Sequence, residues 1–184
     1  MRGGELGCCG GNLMHTREAR LPDAASIHSL ITAYSGDGTL LPRTLAEICE
    51  NIRDFVVLEH EGSVVGCGAL HLYGPHLAEI RSITTDPKHQ GAGGGSLLVK
   101  ALLAQAKEHS VISVCLFTRI PNFFSRMGFS VARREDIPDK IHKDCLRCPR
   151  LHACDEVAMV RGPLPKFTFF PERQSLVWPS NVSM

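Results

Sequence analysis

The sequence predicts an α/β domain built around a mixed β-sheet, and three observations carry that prediction. Two strand-like runs, 55–59 and 64–72, are joined by Glu61-Gly62, a pair suited to a hairpin turn. A glycine-rich loop at 90–95 stands between a third strand-like run and an amphipathic helical pattern. Strand-like and helix-like runs then alternate to residue 160, the order expected when helices cover a sheet.

Composition bounds what such a domain can do. The chain has 184 residues, 43% hydrophobic and 21% charged, which is globular composition. A chain of this length can bury roughly two-thirds of its unfolded surface. Twenty Lys and Arg against nineteen Asp and Glu leave a net charge of +1, which gives no field to hold nucleic acid or an anionic membrane. No apolar run approaches the ~20 residues needed to cross a bilayer, and no apolar signal region opens the chain. A cytoplasmic protein is expected, its eight cysteines free or metal-bound rather than paired in disulfides.

Taken in order, residues 1–14 are Gly-rich and patternless and are expected to be a disordered tail. A short strand is predicted at 16–19. Pro22 and Asp23 open a helix with Ile27, Leu30, Ile31 and Tyr34 at i, i+3, i+4, i+7. Gly36-Asp37-Gly38 ends it, and a second helix is predicted over 42–51 with Leu45 and Ile48 inward. After the hairpin, 78–85 is a third strand, closed by Asp86-Pro87. The clearest helix follows at 96–109, and 111–117 reads as a buried strand. A short helix at 121–127, stopped by Gly128, leads to strand 129–132. Residues 136–155 form a polar, Cys-rich insertion. The last strand is 157–160, and 162–184 is a Pro-rich tail.

The glycine loop carries chemistry. Gln90-Gly91-Ala92-Gly93-Gly94-Gly95 lets the backbone approach a ligand closely, and the first N–H groups of the next helix attract an anion. A flexible turn would share this composition. A Walker A loop is excluded because Ser96-Leu97 stands where Lys-Ser/Thr is needed. A dinucleotide fingerprint is excluded because Ser96 occupies the third glycine position. A diphosphate outside those two folds remains, and coenzyme A carries one.

Gln90-x-x-Gly93-x-Gly95, three residues after Asp86-Pro87, resembles the pyrophosphate loop of the GNAT acetyltransferases. Asn122-Phe123-Phe124-Ser125-Arg126-Met127-Gly128-Phe129 resembles the short helix and Gly-Phe that follow the family's fifth strand. The resemblance covers roughly residues 15–161. It implies a GNAT domain there, with a mostly antiparallel central sheet flanked by helices and acetyl-CoA as cosubstrate. The main chains of Ile83 and Thr85 would meet the pantetheine arm, and Gln90, Gly91, Gly93, Gly95 and Ser96 the diphosphate, with Phe124 beside them. Many members carry a Tyr that protonates the leaving thiolate where this chain has Phe124, which cannot donate a proton. The general acid is therefore unassigned, with Tyr73 or a water as candidates.

Three further stretches resemble the short, single-domain N-acetylglutamate synthases: 40–43, 50–55, and 66–71 leading into Ala78-Glu79-Ile80-Arg81-Ser82. Lys140-x-x-x-Asp144-Cys145-x-x-Cys148 followed by Cys154-Asp155-Glu156 is found in that group too. The implied reaction transfers acetyl from acetyl-CoA to the α-amine of L-glutamate, the first step of arginine biosynthesis. Only a neutral amine attacks a thioester, so a carboxylate near it would act as general base. Glu79 is the candidate, a surface ion pair with a neighbouring Arg being the alternative. A backbone N–H near Ile83 would hold the oxyanion. Two carboxylates on the acceptor call for cationic clamps. Arg43 and Arg81 are the candidates, with Arg53 and Lys140 behind them.

Cys145, Cys148 and Cys154, with His142 and His152, supply enough donors for a tetrahedral zinc. A single CxxC without a clear fourth ligand leaves zinc unpredicted and reduced thiols beside the active site as the expectation. The expected partners are small molecules, acetyl-CoA and an amino acid, with a homodimer left open. Alternatives are another small amine or a protein N-terminus as acceptor, a non-catalytic acyl-CoA sensor, and a zinc-stabilised interaction module.

Overall fold

A computed structural model describes residues 13–36, 38–148 and 151–164. Seven strands form one sheet in the order β1-β2-β3-β4-β5-β7-β6. They are β1 (His15–Glu18), β2 (Phe55–His60), β3 (Ser63–Gly74), β4 (Leu77–Thr85), β5 (Ser113–Thr118), β6 (Ser130–Val131) and β7 (Val157–Arg161). Every pairing is antiparallel except β4 with β5. The expected mixed, mostly antiparallel sheet is therefore present. Glu61 and Gly62, both at positive φ, turn β2 into β3 as the hairpin residues do in turns matched to strand twist.

Alternating residues of the central strands build two cores. On one face, Val56, Leu58, Leu116 and Met159 pack against Leu98 and Leu102 of α3 (Gly94–Glu108) and against Phe124 of α4 (Pro121–Ser125). On the other, Val57 and Cys67 meet Ile27 and Ile31 of α1 (Ala24–Ala33) and Ile48 of α2 (Leu45–Glu50). Ile27 and Ile31, fully buried one turn apart, each contribute about 2–3 kcal/mol of apolar transfer. α5 (Pro138–Lys143) adds to this second face, anchored by buried Ile137 beside Leu77 and Cys115.

Two irregularities open the sheet at its centre. β4 pairs with β5 only from Leu77 to Glu79, opposite Ser113 to Cys115, and the strands then run on without pairing to each other. On its other side β4 carries a bulge, where Ser82 and Ile83 together oppose Gly68. Ser82 takes the left-handed backbone at φ 52. A bulge leaves peptide groups out of the ladder and sharpens local twist. A Cβ at Gly68 would lie 2.9 Å from Leu102 and 3.4 Å from Ile83, so glycine is what allows the bulge to sit over α3.

Several boundaries move. The helix expected from residue 42 begins at Leu45, because Thr44 caps it: Thr44 Oγ1 accepts from Glu47 N at 3.2 Å and Glu47 Oε2 accepts from Thr44 N at 2.7 Å. Leu45, expected inward, is 46% exposed, whereas Ile48 is buried. The main helix begins at Gly94, two residues early, since Gly93 at φ 88 makes the turn into it. Met14, placed in the tail, packs on the core below α3. Gly162, Pro163 and Leu164 likewise belong to the folded unit, with Ser113 Oγ donating to the Pro163 carbonyl and Leu164 packing beside Leu77 and Cys115. The rest of both expected tails, 1–12 and 165–184, lies outside the described residues. No helix among the described residues is long and apolar enough to cross a membrane.

Candidate active site

Two cavities flank β4 and meet at Thr39 and Leu40. The larger, about 600 Å³, lies where β4 and β5 part, between the glycine loop and α4. Ile83, Thr85, Gln90, Gly91, Gly93, Gly95, Ser96 and Phe124, the eight residues expected around CoA, all line it. Gly91 and Gly93 have φ of 79 and 88, and a Cβ on either would meet nothing within 4 Å. Their glycine identity therefore serves the left-handed backbone, and both leave open space beside the cleft. Gly94 answers a different demand: a Cβ there would stand 2.4 Å from buried Leu58, so α3 can begin this close to the sheet only with glycine. The opening turn of α3 brings N–H groups and the positive end of its dipole to this cleft.

Tyr34 completes this cleft and was not singled out from the sequence. Its hydroxyl donates to the Thr85 carbonyl at 2.9 Å and accepts from Gln90 Nε2 at 2.7 Å. The end of β4 is thereby tied to the loop. At sequence level Tyr34 was legible only as the last apolar position of α1. Its polar tip needed the tertiary fold to find partners. Phe124, 3% exposed, stacks edge-on with Phe123 and Phe129, so it closes the cleft floor and offers no proton.

The second cavity lies beside the other half of β4, under the segment 134–156. Glu79 is at its base, 2% exposed rather than on the surface, and its ion-pair partner is a lysine rather than an arginine. Its Oε1 lies 2.7 Å from Lys140 Nζ, and its Oε2 accepts from the Tyr73 hydroxyl at 2.8 Å. Lys140 Nζ also donates to Asp144 Oδ2 at 2.7 Å. Burial works against the Lys140 charge, but the two carboxylates outweigh it and raise its pKa. Burial likewise resists the charge on Asp144, yet the hydrogen bond from Lys140 prevails and holds its carboxyl below the usual range. Burial, with the Glu79 charge behind it, pushes the Tyr73 phenol far up, and its hydroxyl hydrogen is directed to Glu79.

Arg43 and Arg81 line this cavity, as expected for acceptor clamps. Arg53 does not: it is exposed on the helical turn before β2, away from both cavities, because Ile52 and Phe55 are the residues that turn inward there. Arg119 and Arg134 also line the cavity and were missed. Arg119 follows the last residue of β5, and the carboxyl ends of strands at a split sheet are where ligand-binding residues collect. Arg119 pairs with Asp155 at 2.8 Å, and Arg134 spans Phe117, the Cys154 sulfur and the Glu156 carbonyl.

Cys145, Cys148 and Cys154 all face this cavity as free thiols. Burial pushes the Cys145 thiol up, and Cys154 Sγ accepts from Arg134 at 3.1 Å. No three His, Cys, Asp or Glu side chains among the described residues converge as metal ligands would. Cys67 and Cys115 are core residues, the first pushed up to about 12 by burial.

Comparison with known proteins agrees with this geometry. The acetyltransferase (GNAT) family model matches residues 24–129. An uncharacterized N-acetyltransferase of Chlorobaculum tepidum is 42% identical over 145 residues, covering 79% of this chain and 94% of that protein. An amino-acid acetyltransferase of Mycobacterium tuberculosis is 38% identical over 117 residues, covering 62% of this chain and 67% of its own length. Among solved structures, N-acetylglutamate synthase from Neisseria gonorrhoeae, complexed with coenzyme A and N-acetyl-glutamate, superposes with a TM-score of 0.73 at 25% identity over 83% of this chain. This chain spans only 35% of that synthase, and 30% of the amino-acid acetyltransferase of Ralstonia nicotianae that it also matches. A family match over more than half the chain, the split sheet and the glycine-built cleft lead to one conclusion: this protein belongs to the acetyltransferase (GNAT) family.

Proposed function

We propose that this protein is an amino-acid N-acetyltransferase whose acceptor is L-glutamate, making N-acetyl-L-glutamate in the cytoplasm for arginine biosynthesis. One observation carries the reading. The cavity that joins the CoA cleft holds a buried carboxylate at its base and four arginines, Arg43, Arg81, Arg119 and Arg134, on its walls. Arginines suit an acceptor with two carboxylates, and the carboxylate suits its amine. The names of the amino-acid acetyltransferase relatives support the same acceptor class.

In this reading the α-ammonium of glutamate enters the cavity that holds Glu79, which takes its proton. Ile83 lies four positions along β4 from Glu79, about 13 Å of strand at an ordinary rise, so the proton travels through water. The freed amine attacks the thioester carbon directly. Charge developing on the carbonyl oxygen is met by a peptide N–H of the bulge near Ile83, a group that the bulge releases from the ladder. Coenzyme A leaves as a thiolate, and the second proton of the attacking amine, lost as the amide forms, passes through water to that thiolate. Arg81 and Arg43 hold the acceptor carboxylates.

The test is turnover of acetyl-CoA by the purified protein with each of the twenty amino acids, reading CoA release by chromatography. Release confined to L-glutamate is the expected result. Release with other amines only would replace glutamate as the acceptor. Tight acetyl-CoA binding without turnover would instead support an acyl-CoA sensor.

A further inference from the structure

Lys140, expected as an acceptor clamp, sits in surroundings that suit another task. Of the three N–H groups on its ammonium, one is directed to Glu79 and one to Asp144, each at 2.7 Å. Its side chain is 8% exposed and that of Glu79 is 3% exposed, so this contact is sheltered from water. The second Glu79 oxygen is taken by Tyr73. Both oxygens are thus fixed, and the remaining lone pairs have a defined direction.

We propose that Lys140, braced by Asp144, is a positioning residue for acetyl transfer, fixing the Glu79 carboxylate that takes the acceptor amine's proton through water instead of clamping an acceptor carboxylate. The inference rests on the reading of Glu79 as the base. Charge shows why two carboxylates are needed. A Glu79–Lys140 pair alone would be neutral and would draw an ammonium substrate weakly. Asp144 brings the cluster to a net charge of −1, one proton's worth of accepting capacity matched to one incoming ammonium. Without Lys140, the buried carboxylate would lose its ion-pair partner, and burial favours a neutral form, which cannot accept a proton.

The fold explains how Lys140 reaches this place. Asp144 caps the end of α5, four residues after Lys140 and one turn along, so both side chains come to the same side. Ile137, fully buried, pins the start of α5 to the sheet. The titratable groups around Glu79 are Tyr73 and His71 from β3, Cys115 from β5, and Arg81 on β4 itself. His71 is engaged by Lys143 and Asp54, and Arg43 acts with Arg81 on Asp144.

The experiment compares Lys140→Met, Lys140→Arg, Asp144→Asn and Glu79→Gln with wild type. The readouts are kcat, the KM of each substrate, the pH profile of kcat/KM and CoA binding by calorimetry. The acceptor is whichever amino acid the wild-type enzyme turns over. Lys140→Met is expected to lower kcat about 100-fold, the scale of a displaced general base, while acceptor KM changes less than about threefold. Its acid limb should move to higher pH, and Lys140→Arg should bring that limb back toward wild type. Asp144→Asn should move the limb the opposite way, because Lys140 is then committed to Glu79 alone.

A tenfold rise in acceptor KM for Lys140→Met, with kcat and the acid limb unmoved, would make Lys140 a substrate clamp and overturn the proposal. If Lys140→Met fails to bind CoA, and so has not folded, the sign of the Asp144→Asn shift decides: an unmoved limb or an upward shift overturns it. A fully active Glu79→Gln enzyme overturns both this inference and the reading of Glu79 as the base. An inactive Glu79→Gln enzyme with unmoved limbs in the other variants overturns the role of Lys140 alone.

Discussion

The two cavities beside β4 are built from different materials. The CoA cleft is made largely of backbone: a bulge, a strand edge without a partner, two left-handed glycines and the opening turn of α3. The second cavity, proposed to take the acceptor, is made of side chains from five separated stretches, near residues 40, 80, 118, 134 and 140–156, whose charges depend on one another. A backbone-built site can be rigid and indifferent to most substitutions. A charge-built site can be retuned by a single side chain. A fold that joins the two keeps its donor while its acceptor varies.

Perturbing each side of that contrast should give separable effects. The largest is expected from Glu79→Gln, which keeps the shape of the cluster and removes the base. It should lower kcat by about 10²–10⁴-fold, with acetyl-CoA affinity in calorimetry unchanged. Loss of CoA binding in this variant would show that the two cavities are not independent. Next is Arg81→Ala. Removing one charge-assisted clamp, worth about 1.5–3 kcal/mol, should raise the glutamate KM about 10–100-fold and leave that of acetyl-CoA in place. Equal rises in both would refute its assignment to the acceptor.

A smaller effect, on the other cavity, is expected from Gly93→Ala. Space is open there, but a φ of 88 strains an L-residue by about 1–2 kcal/mol. Acetyl-CoA KM should rise several-fold and the melting temperature fall, with glutamate KM constant. The smallest is Arg53→Ala. Exposed and lining neither cavity, Arg53 should on substitution move stability by less than about 0.5 kcal/mol and neither KM measurably. A raised glutamate KM would return Arg53 to the acceptor site.

How much of each region was legible follows from what it is made of. The glycine loop is contiguous, so its spacing carried the cleft directly, and every residue expected there lines it. Tyr34 escaped because its role depends on a partner 51 residues away. In the acceptor cavity, Glu79, Arg43 and Arg81 were found through stretches that resemble a family. Arg119 and Arg134 were not, and Arg53 was placed there wrongly. Nothing local tells a solvated arginine from one turned into a cavity, since burial is a property of the whole fold. Lys140 shows the same limit within one residue: its position in the cavity was anticipated, whereas its partners Glu79 and Asp144 were apparent only once α5 lay on the sheet.

By itself the sequence determined the order of the strands and of the helices before α5, the hairpin at Glu61-Gly62, the inward residues Ile27 and Ile31 of α1, and the glycine-built turn before α3. These depend on periodicity, turn chemistry and neighbouring glycines, all of which act over a few residues. Tertiary structure decided where β4 and β5 part, which peptide groups the bulge at Ser82 and Ile83 releases, and which charges neutralise one another around Glu79. Those outcomes depend on strand register and on burial, which only residues distant in sequence can supply.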